Sequence, residues 1–340
     1  MKTEFFDLSG DGRNGIIEKA ARVIRSGGLV AFPTETVYGL GANGFDEKAV
    51  LSIFEAKGRP HDNPLIMHVA DLDMAAELGY LNEAFYKLAS EYWPGPLTII
   101  VKKHPIVNDI VTCGLDTVAI RMPSNDYARE LIKAAGVPIA APSANRSGKP
   151  SPVTARHVLT DMDGRIDMIL DGGACEVGVE STVVTVCGET PTVLRPGGIT
   201  PAQIEAALGS VRLDKAVTQM LPENEKPLAP GMKYKHYAPD CRVVIVEGKG
   251  AVNYIKARLA EDENACAMCF NGEEAVFPRA IAYGEEGNSV SLAHGVFAAM
   301  READGRGIST LYVRCPRKDG VGNAVFNRLF RASGGSVVNV

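Results

Sequence analysis

Residues 29–68 read LVAFPTETVYGLGANGFDEKAVLSIFEAKGRPHDNPLIMH. The apolar run Leu29, Val30, Ala31, Phe32 suits a buried strand and breaks at Pro33 into a polar, glycine-bearing turn, so Thr34, Glu35, Thr36 and Tyr38 stand where a strand ends. From Glu47 to Lys57 the apolar positions Ala49, Val50, Ile53, Phe54 and Ala56 have the spacing of a helix with one buried face. Gly58 stops that helix and Pro60 forbids its continuation, which puts Lys57 and Arg59 on a short, stiff connector before a second strand at 65–69. A strand end full of hydroxyls thus lies near fixed positive charge. That pairing suits an anionic, hydrogen-bonding ligand; the same two cations would equally serve the C-terminal dipole of the helix.

The chain has 340 residues, 46% of them hydrophobic, which is enough for an ample core and fits two domains better than one. No apolar stretch approaches the roughly 20 residues of a membrane helix, and the N-terminal sequence has no apolar core long enough for a signal peptide. A cytoplasmic location, with no membrane partner, is the expectation. Seven cysteines without scaffold spacing point to reduced thiols. Cys266 and Cys269 form a CxxC inside an apolar run with no second pair, and read as buried strand residues. A net charge of −5 gives no broad attraction to nucleic acid or anionic membrane. A local basic pocket for a nucleotide remains open, whereas a duplex demands a wider basic face.

Along the chain, helices are expected at 14–25, 72–78, 83–92, 127–135 and 201–208. Strands are expected at 97–101, 118–122, 137–141, 166–171, 178–186 and 192–195. Trp93-Pro94-Gly95-Pro96 must make a fixed turn. Arg121 is notable because an arginine within an apolar run needs a partner or a cleft. Residues 143–152, SANRSGKPSP, combine hydroxyls, an amide, two cations and a glycine, the makings of a phosphate- or ribose-contacting loop. From Arg212 to Pro239 periodicity disappears, and the stretch reads as a linker too rich in aromatic and basic groups to be only a spacer. Beyond it, strands at 242–246, 265–270, 280–283 and 310–315 alternate with helices at 252–259, 292–303 and 321–330, the pattern of a small parallel sheet. The expected fold class is α/β: residues 1–210 form a twisted mixed sheet with helices, 211–240 a linker, and 241–340 a smaller parallel-sheet, Rossmann-like domain.

Neither GxxxxGK[ST] nor a GxGxxG in its proper context occurs, and HExxH, paired-cysteine zinc patterns and a GxSxG elbow are absent. Ser143 and Ser181 have no base evident in the sequence. What remains is a set of strand-end hydroxyls and cations from separated segments: Thr36, Lys57, Arg59, His68, Arg121, Ser143, Asn145, Ser181 and Arg195. If their strands share one sheet, the set can hold a polyanion beside a small polar molecule, and catalysis by positioning and charge stabilisation is expected.

Eight segments in order, AFPTETVYGLGAN, KGRPHDNPL, WPGPLT, VAIRMP, APSANRSGKPSP, GVESTVV, VLRPGG and PGMKYKHYAP, resemble the YrdC-type threonylcarbamoyl-AMP synthases in their long form with a linker and a C-terminal appendage. The resemblance implies condensation of L-threonine, bicarbonate and ATP to threonylcarbamoyl-AMP and pyrophosphate. The product would pass to the transferase machinery that makes N6-threonylcarbamoyladenosine at tRNA position 37. It implies a threonine pocket of Thr36, His68, Arg121, Ser143 and Ser181. Nucleotide contacts would come from Lys57, Arg59, Asn63, Thr117, Asn145, Ser151, Val153, Arg195, Tyr234 and His236. Lys57 and Arg59 would act on the reacting phosphates, and Mg²⁺ would accompany ATP with no side-chain ligands assigned. Tyr234 and His236 would belong to a lid. Val153 stands where the family often has threonine, so only its backbone would make that contact.

Two other readings stay open on sequence alone: a non-catalytic RNA-binding module, and a carbamoyl-transfer domain like the related part of hydrogenase maturation proteins. Acidic net charge and missing stacking aromatics weigh against the first, with no strong direct nucleic-acid binding expected. Missing acylphosphatase and zinc-finger segments weigh against the second.

Overall fold

A computed structural model describes residues 2–10, 12–219, 227–230, 232 and 236–340. Its first sheet contains β1 (Glu4–Asp7), β2 (Val30–Phe32), β3 (Gly39–Asn43), β4 (Ile66–His68), β5 (Gly79–Tyr80), β6 (Leu97–Lys103), β7 (Thr117–Arg121), β8 (Ile139–Ala141), β9 (Met168–Asp171), β10 (Thr182–Thr185), β11 (Thr192–Arg195) and β12 (Arg212–Leu213). The order is β1-β9-β2-β3-β8-β4-β7-β6-β10-β11-β12, with β5 paired to β6, and parallel and antiparallel pairs are mixed. Helices α1 (Arg13–Arg25), α2 (Glu47–Lys57), α3 (Leu72–Leu78), α4 (Glu83–Tyr92), α5 (Asp109–Thr112), α6 (Asp126–Ala135), α7 (Ala155–Met162) and α8 (Pro201–Leu208) accompany it.

The second sheet contains β13 (Arg242–Glu247), β14 (Ala265–Cys269), β15 (Ala280–Ala282), β16 (Thr310–Arg314) and β17 (Val337–Asn339), in the order β15-β14-β16-β13-β17, with every pair parallel. Helices α9 (Ala251–Glu261), α10 (Ser289–Gly305) and α11 (Gly322–Ala332) make its crossovers. The fold class is therefore the expected one. Cys266 and Cys269 are buried in β14, as their apolar run predicts.

Helix α2 shows how the opening stretch folds. Asp46 caps its N-terminus by accepting from the amides of Lys48 and Ala49. Gly58 takes the left-handed conformation at φ 64°, and the Arg59 amide returns to the Phe54 carbonyl at 2.9 Å, so the chain turns sharply with Lys57 inward. The glycines that suggested a turn at 39–41 instead belong to β3. A Cβ on Gly41 would lie 2.7 Å from Ile139 Cγ2 and 2.8 Å from Phe32 Cε1, so glycine here permits close strand packing. Helix α7, capped by Thr154, and the short strands β1, β5, β12 and β17 are further elements that the periodicity did not announce. Within the stretch from Arg212, β12 pairs with β11 and a 3₁₀ turn follows at Lys215–Val217.

One continuous apolar core runs through both sheets, from Ile53 and Ile120 through Val153 and Val179 to Tyr237, Phe297 and Leu329. At the junction a Cβ on Gly178 would fall 2.4 Å from the Ala293 carbonyl, which brings α10 against the strand end that carries Glu180 and Ser181.

Candidate functional site

Strand register builds one half of the site. His68 on β4 pairs with Arg121 on β7, and Arg121 pairs in turn with Thr98 on β6. Beside them Thr98 Oγ1 and Ser181 Oγ lie 2.8 Å apart, so three strand ends converge. Arg121 donates through Nη2 to Glu35 Oε1 at 2.8 Å and through Nε to the Gly95 carbonyl at 3.4 Å. The fixed Trp93–Pro96 turn thus supports that guanidinium. Thr36 is held by Thr34, whose hydroxyl lies 2.9 Å from Thr36 Oγ1. The His68 ring packs edge-on to Phe32, and its Nδ1 lies 3.2 Å from the Ile66 carbonyl. Burial, reinforced by the charge of Arg121, pushes the His68 pKa down to about 3, so the ring is neutral at physiological pH.

The other half is cationic. Arg59 donates from Nε to the Asn63 carbonyl at 3.1 Å and from Nη2 to the Pro64 carbonyl at 3.0 Å, both on its own loop. Arg195, at the end of β11, reaches the Ser181 carbonyl at 3.1 Å, Ser181 Oγ at 3.2 Å and the Pro230 carbonyl at 3.3 Å. Lys57 is 2% exposed, and its Nζ donates to the carbonyls of Ser143 and Asn145. Among the described residues it has no carboxylate within ion-pair distance. Burial first, then the neighbouring Arg59, holds its pKa well below the usual lysine value. Asn145 ties the loop together by donating to the carbonyls of Arg146 and Lys149, both at 2.8 Å.

Between the halves lies one cavity, lined by Thr36, Arg59, His68, Arg121, Ser143, Ser181, Arg195 and His236 among the residues singled out from sequence. Burial, with Arg59 next in effect, depresses the His236 pKa to about 3. The other candidates stand off the lining. Lys57 and Asn145 support the Ser143 loop from beneath, Asn63 backs Arg59, and Ser151 donates to Glu180. Val153 is buried, with its carbonyl accepting from the Cys175 amide at 2.9 Å. Thr117 opens β7 at the end away from Arg121. Tyr234 lies outside the described residues. Two carboxylates to which the sequence reading gave no role organise the site: Glu35 beneath Arg121, and Glu180, which lines the cavity. The signal for both was present, since each is an acid inside an otherwise apolar or hydroxyl-bearing strand end. Such a site can grip an anion on one side, hold a small polar molecule on the other, and exclude water.

The chain matches two family models: that of the Sua5, YciO and YrdC proteins, described as Telomere recombination, over residues 22–197, and one described as Threonylcarbamoyl-AMP synthase, C-terminal domain, over residues 199–334. It is 44% identical to a threonylcarbamoyl-AMP synthase of Pyrococcus abyssi, over 95% of this chain and 96% of that protein. A Bacillus subtilis protein of the same name is also 44% identical, over 95% and 94%. The solved structure of P. abyssi Sua5 complexed with L-threonine is similar at a TM-score of 0.94 and 41% identity, covering 99% of this chain and 100% of that one. By model coverage and near full-length likeness, the chain belongs to the Sua5/YciO/YrdC family, in the form that carries the Sua5 C-terminal domain.

Proposed function

We propose that the chain is a threonylcarbamoyl-AMP synthase, a nucleotidyltransferase that condenses L-threonine, bicarbonate and ATP into threonylcarbamoyl-AMP and pyrophosphate. The observation that carries this reading is the full-length likeness to relatives of that name, joined to a cavity in which cations from three separated segments meet a cluster of hydroxyls.

In this reading threonine lies against Thr36, His68, Arg121 and Ser181, where the guanidinium of Arg121 meets its carboxylate and neutral His68 adds a hydrogen bond without competing charge. ATP lies toward Arg59 and Arg195, with Ser143 between the two ligands. Threonine amine and bicarbonate give a carbamate with loss of water, and a carbamate oxygen attacks the α-phosphorus while pyrophosphate leaves. Arg59 and Arg195, with Lys57 beneath, stabilise the charge that builds on the leaving group, so no protein nucleophile is needed. Magnesium would supply further neutralisation. Glu180, the carboxylate lining the cavity among the described residues, has both oxygens committed to Ser151 and Arg328. An ion arriving with ATP would therefore be held chiefly through phosphate oxygens and water.

Pro230, His236 and Tyr237 close one side of the cavity, which supports a lid that keeps water from a hydrolysis-prone mixed anhydride. The product then goes to the transferase that modifies adenosine 37 of tRNA. In the test, purified full-length chain receives ATP, threonine and labelled bicarbonate. Pyrophosphate release that requires both threonine and bicarbonate, with label in the adenylate, is expected. Salt-sensitive RNA binding without that release would overturn the proposal in favour of an RNA-binding module.

A further inference from the structure

The second sheet brings a fully buried arginine to the edge of this site. Arg328, on α11, is 0% exposed. Its Nε donates to Glu180 Oε2 at 2.6 Å, Nη1 to Asn327 Oδ1 at 2.8 Å, and Nη2 to the Pro196 carbonyl at 3.0 Å and the Glu180 carbonyl at 3.4 Å. Its guanidinium carbon also stands 5.2 Å from the centre of the Tyr237 ring. A helix that only had to pack against a neighbouring layer would be served as well by leucine or methionine, because a guanidinium withdrawn from water gains nothing unless its donors are all placed. Here they are placed on the 180–196 segment, which forms one wall of the cavity, and on Asn327, while the guanidinium lies over the ring of the aromatic residue that follows His236.

The other oxygen of Glu180 receives Ser151 Oγ, so a chain of contacts runs from α11 through Glu180 into the 143–152 loop. That loop is gripped a second time from the same layer. Arg301 on α10 donates to the Pro150 carbonyl and pairs with Asp161 at 2.8 Å, and Lys149 pairs with Asp304 at 3.5 Å. Each of these links ends on the side assigned to the nucleotide. The threonine side hangs mainly on Glu35, Thr34 and the register of β4, β6 and β7, and meets this network at Ser181, which Arg195 holds.

We infer that Arg328 is a positioning residue for the nucleotide half of the site, acting through Glu180 on Ser151 and the 143–152 loop, so that the C-terminal domain sets ATP affinity without contacting ATP. The inference rests on the assignment of ATP to that half. Without Arg328, Glu180 is a buried carboxylate that keeps the Ser151 hydroxyl but loses its ion-pair partner. It then shifts toward another donor or takes up a proton, and either change loosens Ser151 and with it the 143–152 loop on the nucleotide side.

The test uses the full-length chain and the variants R328M, R328K and R328M/E180Q. Three quantities are read for each: KM for ATP and for threonine in pyrophosphate release, ATP binding by calorimetry without threonine, and the melting temperature. R328M is expected to raise KM for ATP and weaken ATP binding at least about tenfold, the loss of one charge-assisted contact, while KM for threonine stays within about twofold. R328K recovers part of the ATP affinity. The double variant, free of the stranded charge, melts near wild type yet keeps the raised KM for ATP, which separates positioning from folding. Unchanged ATP binding in R328M, equal rises in both KM values, or normal ATP affinity in the double variant would each overturn the inference. Wild-type protein that binds ATP but releases no pyrophosphate with threonine and bicarbonate would overturn the proposed reaction and leave this inference standing on the binding data.

Discussion

Arg121 and Glu35 form an ion pair at 2.8 Å with both side chains 4% exposed, and the second oxygen of Glu35 has no hydrogen-bond partner among the described residues. The pair therefore spends only part of its capacity within the protein, and the guanidinium keeps its charge facing the cavity. Removing one partner strands the other in a dry site. Glu35→Ala should cost about 3–5 kcal/mol of stability in urea unfolding and raise KM for threonine more than KM for ATP. Replacement of both by methionine should recover stability but not threonine use; a Glu35→Ala protein as stable as wild type would refute the pair's structural weight.

The two buried histidines set an acid limit. His68 and His236 have folded pKa values of about 3, below the 6.5 of an exposed histidine. The unfolded chain therefore binds more protons between those values, and stability falls as pH drops from about 6.5 toward 3. Each group adds a slope of about 1.4 kcal/mol per pH unit within that window. Burial, the largest single effect, raises the Glu180 pKa, but Arg328, Arg195 and the Ser151 hydrogen bond together outweigh it and lower the pKa, so Glu180 adds to the loss below the usual carboxylate range. Urea midpoints measured from pH 7.5 to 4.5 should fall steadily below 6.5, and His68→Asn should flatten that fall. Turnover should show no inflection from either ring between pH 7 and 8.

Lys57 tests whether a buried cation can act through the backbone. Its Nζ holds the carbonyls of Ser143 and Asn145, and so fixes the loop that faces the cavity. Lys57→Met keeps the apolar stem but leaves two buried acceptors unpaired. A drop in kcat/KM for ATP of about a hundredfold is expected, with Lys57→Arg little better because a planar guanidinium does not reproduce an ammonium held between two buried carbonyls. Steady-state kinetics against ATP at saturating threonine would decide it, and near-normal kcat/KM in Lys57→Met would remove Lys57 from the machinery.

Gly41→Ala addresses the sheet itself. The new methyl would sit 2.7 Å from Ile139 and 2.8 Å from Phe32, and Phe32 is the ring against which His68 packs. A loss of about 1–3 kcal/mol, read as a lower melting temperature, should accompany a raised KM for threonine. Gly148→Ala, where a Cβ meets nothing but φ is +89°, should instead show backbone strain without a packing defect.

Much of this was legible along the chain. Helix α2 was readable because its apolar face and its stop are local chemistry, and the cations beyond it followed from that stop. The strand ends carrying Arg121, Ser181 and Arg195 were readable because a charge or hydroxyl interrupts an apolar run. Strand β3 was not, since two glycines that look like a turn serve a close approach between strands that only the fold brings together. Glu35 and Glu180 escaped for a related reason: an acid earns notice when its partner is known, and those partners stand 86 and 148 positions away.

The order of residues by itself determined the α/β alternation, the division of polar from apolar strand ends, and a set of cations and hydroxyls fit for a polyanion beside a small polar molecule. The tertiary structure alone decided that Lys57 works from beneath a loop rather than in the open, that His68 and His236 stay neutral, and that an arginine of the last helix braces the wall of a cavity built by the first sheet. Those properties depend on desolvation and on distances between segments far apart in the chain, and neither quantity exists until the layers have packed.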